Sequence, residues 1–176
     1  MQKISSKLKN NLIVLSFVFF IYVMSLFFGF QVQQSKDSVP LFFTKTNFVD
    51  LLIHNGIQIS LIIILGIITF GIYALIMLVI NGLGVGIALS LIIQNKQFAA
   101  FYSGFLPHGI IEITGLLAAA MVPFMFWSTV VRYARLKKDI PVPFHKLLLY
   151  DILPYILSSY CCIIIAAYIE ANISNF

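Results

Sequence analysis

The sequence predicts an all-α bundle of about five membrane-spanning helices. Hydrophobic residues make up 61% of the 176 residues, whereas charged residues make up only 10%. Several apolar runs reach the ~20 residues that a helix needs to cross a ~30 Å hydrocarbon core. The chain has no internal repeat, and no stretch between the apolar runs is long enough for a soluble domain. We therefore expect a single integral membrane domain over residues 1–176.

The first predicted span covers residues 12–30 and follows a basic start at Lys3, Lys7 and Lys9. Its apolar run is longer than the hydrophobic region of a signal peptide. The residues that end it, from Phe28 onward, offer no small-residue cleavage site. We expect an uncleaved anchor.

The next apolar stretch, residues 51–93, is too long for one helix, yet no charged loop divides it. The positive-inside rule decides how many times this stretch crosses the membrane. The basic start of the chain and the basic loop after residue 131 can both be cytoplasmic only if this stretch crosses twice. We predict spans over 51–69 and 72–93 that turn at Thr69-Phe-Gly-Ile; a break at Asn81-Gly82 or a re-entrant segment is the alternative.

Spans over residues 105–131 and 147–169 complete the predicted bundle. The N-terminus is then cytoplasmic, together with the basic loop residues Arg132, Arg135, Lys137, Lys138 and Lys146. These cations flank membrane spans, so topology and lipid headgroups explain the net charge of +5 better than nucleic acid does. Asp151 is expected to favour the N-terminus of the last helix and to face Lys146.

Small residues in the third and fourth spans predict close helix contacts. Gly82 and Gly86 form a small-xxx-small pair beside Asn81, and Gly115 and Ala119 are also four apart. In lipid, such residues hold helices together by letting backbones approach closely. Ordinary tight packing and a moving helix interface are both compatible with this pattern, and an interhelical hydrogen bond is the simplest role for Asn81.

Polar side chains converge on the outer third of the predicted bundle. At about 1.5 Å per residue, the outer ends of spans two, four and five share one layer. His108 and Glu112 are four apart and therefore share a helix face. Ionisable groups at this depth are costly and mark a candidate functional site. The residues in this layer are His54, Asn55, Gln58, His108, Glu112 and Glu170.

Three interpretations of this polar cluster stay open. The first is a structural network in which Glu112, protonated or paired with His108, cross-links the helices and shares its layer with Glu170. The second is a recognition or transport site. The third is a metal site built from His54, His108 and Glu112, with Glu170 as a further ligand. His-x-x-x-Glu is a weak signal compared with His-Glu-x-x-His, so we expect no metal or other cofactor.

Several motifs resemble the stage II sporulation protein M family. The likeness extends from about Asn55 to Glu170 and includes Asn81-Gly with Gly86, Pro107-His108-Gly109 with Glu112, and Ala166-Ala-Tyr-Ile-Glu170. The resemblance implies a polytopic membrane protein with no known catalysis of its own. In the family, the sporulation member is thought to bring cell-wall-degrading enzymes together during engulfment. Relatives found with circular bacteriocins are implicated in secretion and self-protection alongside ATP-driven transporters.

From this resemblance we expect a non-catalytic scaffold or accessory protein of the cell membrane. Its partners would be the bilayer and other membrane proteins, such as a wall hydrolase complex. We expect these proteins to dock on the small-residue face of spans three and four or on the outer segment 31–50. The alternative is a component of bacteriocin or hydrophobic-peptide export and self-immunity that works with an ATP-driven transporter. An intramembrane metalloenzyme is a third option, and self-association also stays open.

Overall fold

The computed structural model describes residues 2–34, 36, 47–136 and 143–172, and its long elements are all helices. Five of them are long and apolar enough to cross a membrane, which confirms the predicted multi-pass all-α fold. The elements are α1 (Gln2–Gln34), α2 (Phe48–Ile68), α3 (Ile72–Gln94), the one-turn α4 (Phe98–Ala100), a π-helical turn (Phe101–Phe105), α5 (Leu106–Leu136) and α6 (Phe144–Asn172).

Some of the predicted features lie outside the described residues. These are the side chains of Lys3 and Lys7, the basic-loop residues Lys137 and Lys138, and most of the segment 31–50 that was predicted as an outer docking loop.

The hairpin between α2 and α3 turns where the sequence predicts it. Gly71 adopts a φ of 93°, a left-handed conformation that glycine tolerates best. Phe70 stacks on Trp127 with ring centroids 4.3 Å apart, and the indole N–H of Trp127 donates to the carbonyl oxygen of Ile67 at 2.9 Å. The turn is thereby fixed to α5. Because α3 runs without interruption from Ile72 to Gln94, the alternative break at Asn81-Gly82 is wrong.

Interhelical hydrogen bonds show which helix ends lie together. The side chain of Asn10 donates to Ser128 Oγ at 2.9 Å, so the start of α1 lies beside the end of α5. Gln94 Nε2 donates to the carbonyl oxygen of Gln33 at 3.2 Å, so the end of α1 meets the end of α3. The start of α1 and the end of α5 thus share one end of the bundle, hereafter the basic end, as the five-span prediction requires. The cytoplasmic location of this end stays a prediction.

Glycines of α3 lie directly against α1. A Cβ atom on Gly82 would lie 2.9 Å from the carbonyl oxygen of Tyr22, and one on Gly86 would clash with the carbonyl oxygen of Leu26. The facing surface of α1 also carries a small residue, since Gly29 packs against the backbone of Leu83. The predicted close packing is therefore present, and it joins α3 to the first helix of the same chain.

The central helix α5 packs against α1, α2, α3 and α6. Ala119 is fully buried in the core, and a Cβ on Gly115 would lie 2.9 Å from Cys162 Cβ on α6. The expectation that partner proteins dock on the small-residue face of spans three and four is therefore wrong for these positions. Helices α1 and α6 already cover the glycines, because a close backbone approach is as favourable within a chain as between chains.

An ion pair between α5 and α6 lies near the basic end. Asp151 is only 2% exposed and accepts hydrogen bonds from the guanidinium of Arg132 and, at 2.7 Å, from Thr129 Oγ1. The predicted role of Asp151 at a helix N-terminus is wrong, whereas its predicted position facing Lys146 stays a prediction. Helix α6 already begins at Phe144, so Asp151 lies two turns inside it, whereas the side chain of Lys146 is exposed.

Candidate functional site

A polar cavity of about 160 Å³ lies among α2, α3, α5 and α6. Four polar side chains contribute to its lining, and they come from three helices: Asn55, Gln58, Asn81 and Glu112. The remaining lining residues are Ile59, Val85, Phe105, Gly109, Ile113, Leu116 and Ile163. This volume accommodates several water molecules or one small solvated ion.

Helical spacing brings these groups together. Asn55 and Gln58 are three residues apart on α2 and so share one face. Gly109 and Glu112 have the same spacing on α5, so the cavity wall on that helix is partly bare backbone. The π-helical turn that precedes α5 places the Phe105 ring against Gly109, where an added Cβ would lie 2.9 Å from a ring carbon. Phe105 thereby closes the cavity on one side.

The polar lining has few internal partners. Asn81 Oδ1 accepts a hydrogen bond from the hydroxyl of Tyr22 at 3.1 Å. Among the residues that the structure describes, the side chains of Asn55, Gln58 and Glu112 make no hydrogen bond, although Asn55 is only 7% exposed. Buried polar groups in proteins are normally hydrogen-bonded. The cavity is therefore suited to holding a small polar species.

A close contact between a histidine and a glutamate beside the cavity links α5 and α6 at the end opposite Arg132. His108 Nε2 lies 3.7 Å from Glu170 Oε2, and the two side chains are 7% and 19% exposed. The Phe105 ring packs edge-on against the His108 ring, with centroids 5.8 Å apart. Neither His108 nor Glu170 contributes to the cavity lining. Glu112 lies close enough to Glu170 to interact with its charge, but their membership of one network stays a prediction.

The six residues of the predicted polar cluster thus fall into three groups. Asn55, Gln58 and Glu112 line the cavity, and His108 pairs with Glu170 next to it. The side chain of His54 is exposed and joins neither group. Within the described residues, no three His, Cys, Asp or Glu side chains are grouped to hold a metal ion, so only His108 and Glu170 of the ligands considered for that interpretation lie together.

Sequence reasoning missed two contributors to this site. Asn81 makes the predicted interhelical hydrogen bond, with Tyr22 of α1, but it also lines the cavity, which the sequence does not predict. Tyr22, 2% exposed on α1, was not singled out, although its hydroxyl bonds to Asn81. Its position is a signal in the sequence. Tyrosine in membrane helices is enriched at the membrane interfaces, whereas Tyr22 lies in the middle of its span.

The described cavity lining offers one carboxyl group and three amide groups, but no Ser, Thr, Cys, Lys or His side chain. Carboxylate and amide oxygens are ligands for hard cations and acceptors for water. Amide N–H groups can in turn donate to a bound acceptor. The arrangement is chemically suited to binding through oxygen atoms rather than to forming a covalent intermediate.

Comparisons with known proteins agree with the motif-based resemblance. The family model described as stage II sporulation protein M matches residues 12–175. An uncharacterized protein of Methanocaldococcus jannaschii is 33% identical over 124 residues, which cover 70% of this chain and 68% of that protein. No solved structure matches the chain. Because the family match covers nearly the whole chain, the protein belongs to the stage II sporulation protein M family.

Proposed function

We propose that this multi-pass membrane protein is a non-catalytic scaffold of the cell membrane, which recruits or stabilises partner proteins such as cell-wall hydrolases. Family membership supports this proposal, since the sporulation member is thought to assemble wall-degrading enzymes. In this account the protein contributes a fixed membrane-embedded surface, and its partners carry out the chemistry.

The observation that carries the proposal is the way in which α5 and α6 are tied together at both ends. His108 pairs with Glu170 at one end, and Arg132 pairs with the buried Asp151 near the other. Opening these helices would break both contacts, and separating Arg132 from the buried Asp151 is costly. A fixed bundle of this kind favours a scaffold over a protein that alternates between open states.

Export or self-immunity for a hydrophobic peptide is the second candidate function. The polar cavity favours it, because polar groups at membrane depth often mark a pathway. Against it, a volume of about 160 Å³ is far too small for a peptide. In this role the protein would act beside an ATP-driven transporter and would not itself provide the passage.

Affinity purification from native membranes in a mild detergent separates the two functions. The tagged protein is compared with an equally abundant, unrelated five-span protein that carries the same tag, and the recovered proteins are quantified by mass spectrometry. We expect specific enrichment of a cell-wall hydrolase or of a membrane protein that binds one. Enrichment of a transporter ATPase without any wall enzyme would contradict the scaffold proposal and support the export and immunity role.

A further inference from the structure

We propose that the polar cavity is a binding site for a monovalent alkali-metal cation, held by the carboxylate of Glu112 and the amide oxygens of Asn55 and Gln58. This site is independent of the scaffold role, so either proposal can fail without the other. The cation would be a structural ligand that joins α2 to α5 in the membrane.

The charge of the cavity points to a cation. Glu112 is the one ionisable side chain in the described lining. A carboxyl group in a low-dielectric environment is either protonated or stabilised as the anion by an opposite charge close to it. His108, one turn before Glu112 on α5, lies 3.7 Å from Glu170 and outside the lining. One bound monovalent ion would make the cavity neutral, whereas a divalent ion would leave an excess positive charge.

The ligand chemistry also fits an alkali-metal cation. Hard cations prefer carboxylate, carbonyl and water oxygens, all of which this cavity can supply or admit. Each amide of Asn55 and Gln58 can turn its oxygen toward the ion, because neither is held by a hydrogen bond among the described residues. Asn81 Oδ1 keeps one lone pair after accepting from Tyr22.

Other occupants fit the lining less well. Water alone could satisfy the amide groups of Asn55 and Gln58, but the Glu112 carboxyl would then have to be neutralised by a proton, so a bound cation competes with a proton at this site. Zinc and copper favour imidazole or thiolate ligands, and the described lining contains neither His nor Cys. An alkali-metal cation with some of its hydration water accounts for both the carboxylate and the amides.

The site can be tested by thermal unfolding of the purified protein in lipid nanodiscs. Fluorescence of Trp127, the sole tryptophan of the chain, reports unfolding at one fixed pH in sodium, potassium or choline chloride of equal ionic strength. We expect Tm to rise with the logarithm of the concentration of at least one alkali cation relative to choline, by roughly 5 °C at concentrations about 100-fold above Kd. Equilibrium binding of radioactive sodium or rubidium should saturate near one ion per chain.

Matched variants assign the effect to the cavity. Glu112→Gln should abolish the cation-dependent rise in Tm, because the amide keeps the shape of the side chain but not its charge. Asp50→Asn is the control and should retain the rise, since it also removes one negative charge but Asp50 is exposed and lies outside the lining. Gln58→Met, which keeps the carboxylate but removes one oxygen ligand, should weaken binding about tenfold.

Three results would overturn the proposal. The first is an equal rise in Tm with choline, the second is an undiminished cation effect in Glu112→Gln, and the third is the absence of saturable radioactive-ion binding. The last result would leave a water-filled cavity. If Glu112→Gln does not fold, unchanged cation affinity in Gln58→Met would count against the site in its place.

Discussion

Replacing Gly86 by alanine should destabilise the bundle, whereas the same replacement at Gly84 should not. Both glycines lie on α3, two residues apart, so replacement by alanine changes the helix propensity equally at the two positions. Gly86 faces the backbone of α1, but a Cβ on Gly84 would meet nothing within 4 Å. The comparison therefore isolates the contact between α1 and α3.

The magnitude follows from the atoms that the new methyl group would meet. On Gly86 it would clash with the carbonyl oxygen of Leu26 and lie 2.8 Å from the backbone nitrogen of Phe30. Both atoms belong to the backbone of α1, so only a shift of the helix could relieve the contact. Overpacking costs about 1–3 kcal/mol, and alanine regains at most about 1 kcal/mol of helix propensity. We expect a net loss of about 2 kcal/mol for Gly86→Ala and a gain of about 0–1 kcal/mol for Gly84→Ala.

Reversible unfolding in mixed micelles, with increasing amounts of a denaturing detergent, measures these free energies. Circular dichroism should be followed together with Trp127 fluorescence, so that loss of helix and loss of packing are compared. Equal free energies of unfolding for the two variants would refute the close approach of α3 to α1.

Two further predictions concern the basic end of the bundle. Arg132→Met removes the guanidinium that pairs with the buried Asp151. We expect the free energy of unfolding to fall by about 2–3 kcal/mol in the same assay. This is less than the full cost of breaking a buried pair, because the side chain of Arg132 is 36% exposed. The exposed neighbour Arg135 is the control, and an Arg135→Met variant that costs as much would contradict this assignment. A reporter that is active only outside the cytoplasm should be silent when fused after Lys138 and active after Phe176, whereas equal signals would refute the five-span topology.

The number of spans could be predicted from sequence because two independent signals agree. Apolar length gives the candidate helices, and the distribution of Lys and Arg decides that residues 51–93 cross twice. Helix ends were less accurate, since α6 begins at Phe144 rather than at residue 147. Hydropathy could not predict which helices pack against each other, because apolar residues are found both on lipid-exposed and on buried helix faces. Sequence therefore did not reveal that Gly86 packs against α1.

The sequence predicted how deep in the membrane the candidate-site residues lie, but not in which direction their side chains point. Counting residues along each span placed Asn55 and Glu112 in the same layer, and both line the cavity. Depth does not give the rotation of a helix about its own axis. His54 directly precedes Asn55, and consecutive side chains point about 100° apart on a helix. One side chain is consequently exposed while the other is buried.

The scaffold role is tested most directly by the amount of wall hydrolase at the membrane in cells with and without this protein. The hydrolase that co-purifies with it should be quantified in membrane fractions from wild-type cells, a deletion strain and a complemented strain, at equal total hydrolase. We predict a several-fold fall in the membrane-associated fraction in the deletion strain and its recovery on complementation. An unchanged membrane fraction, together with increased sensitivity of the deletion strain to a hydrophobic peptide, would contradict the scaffold role.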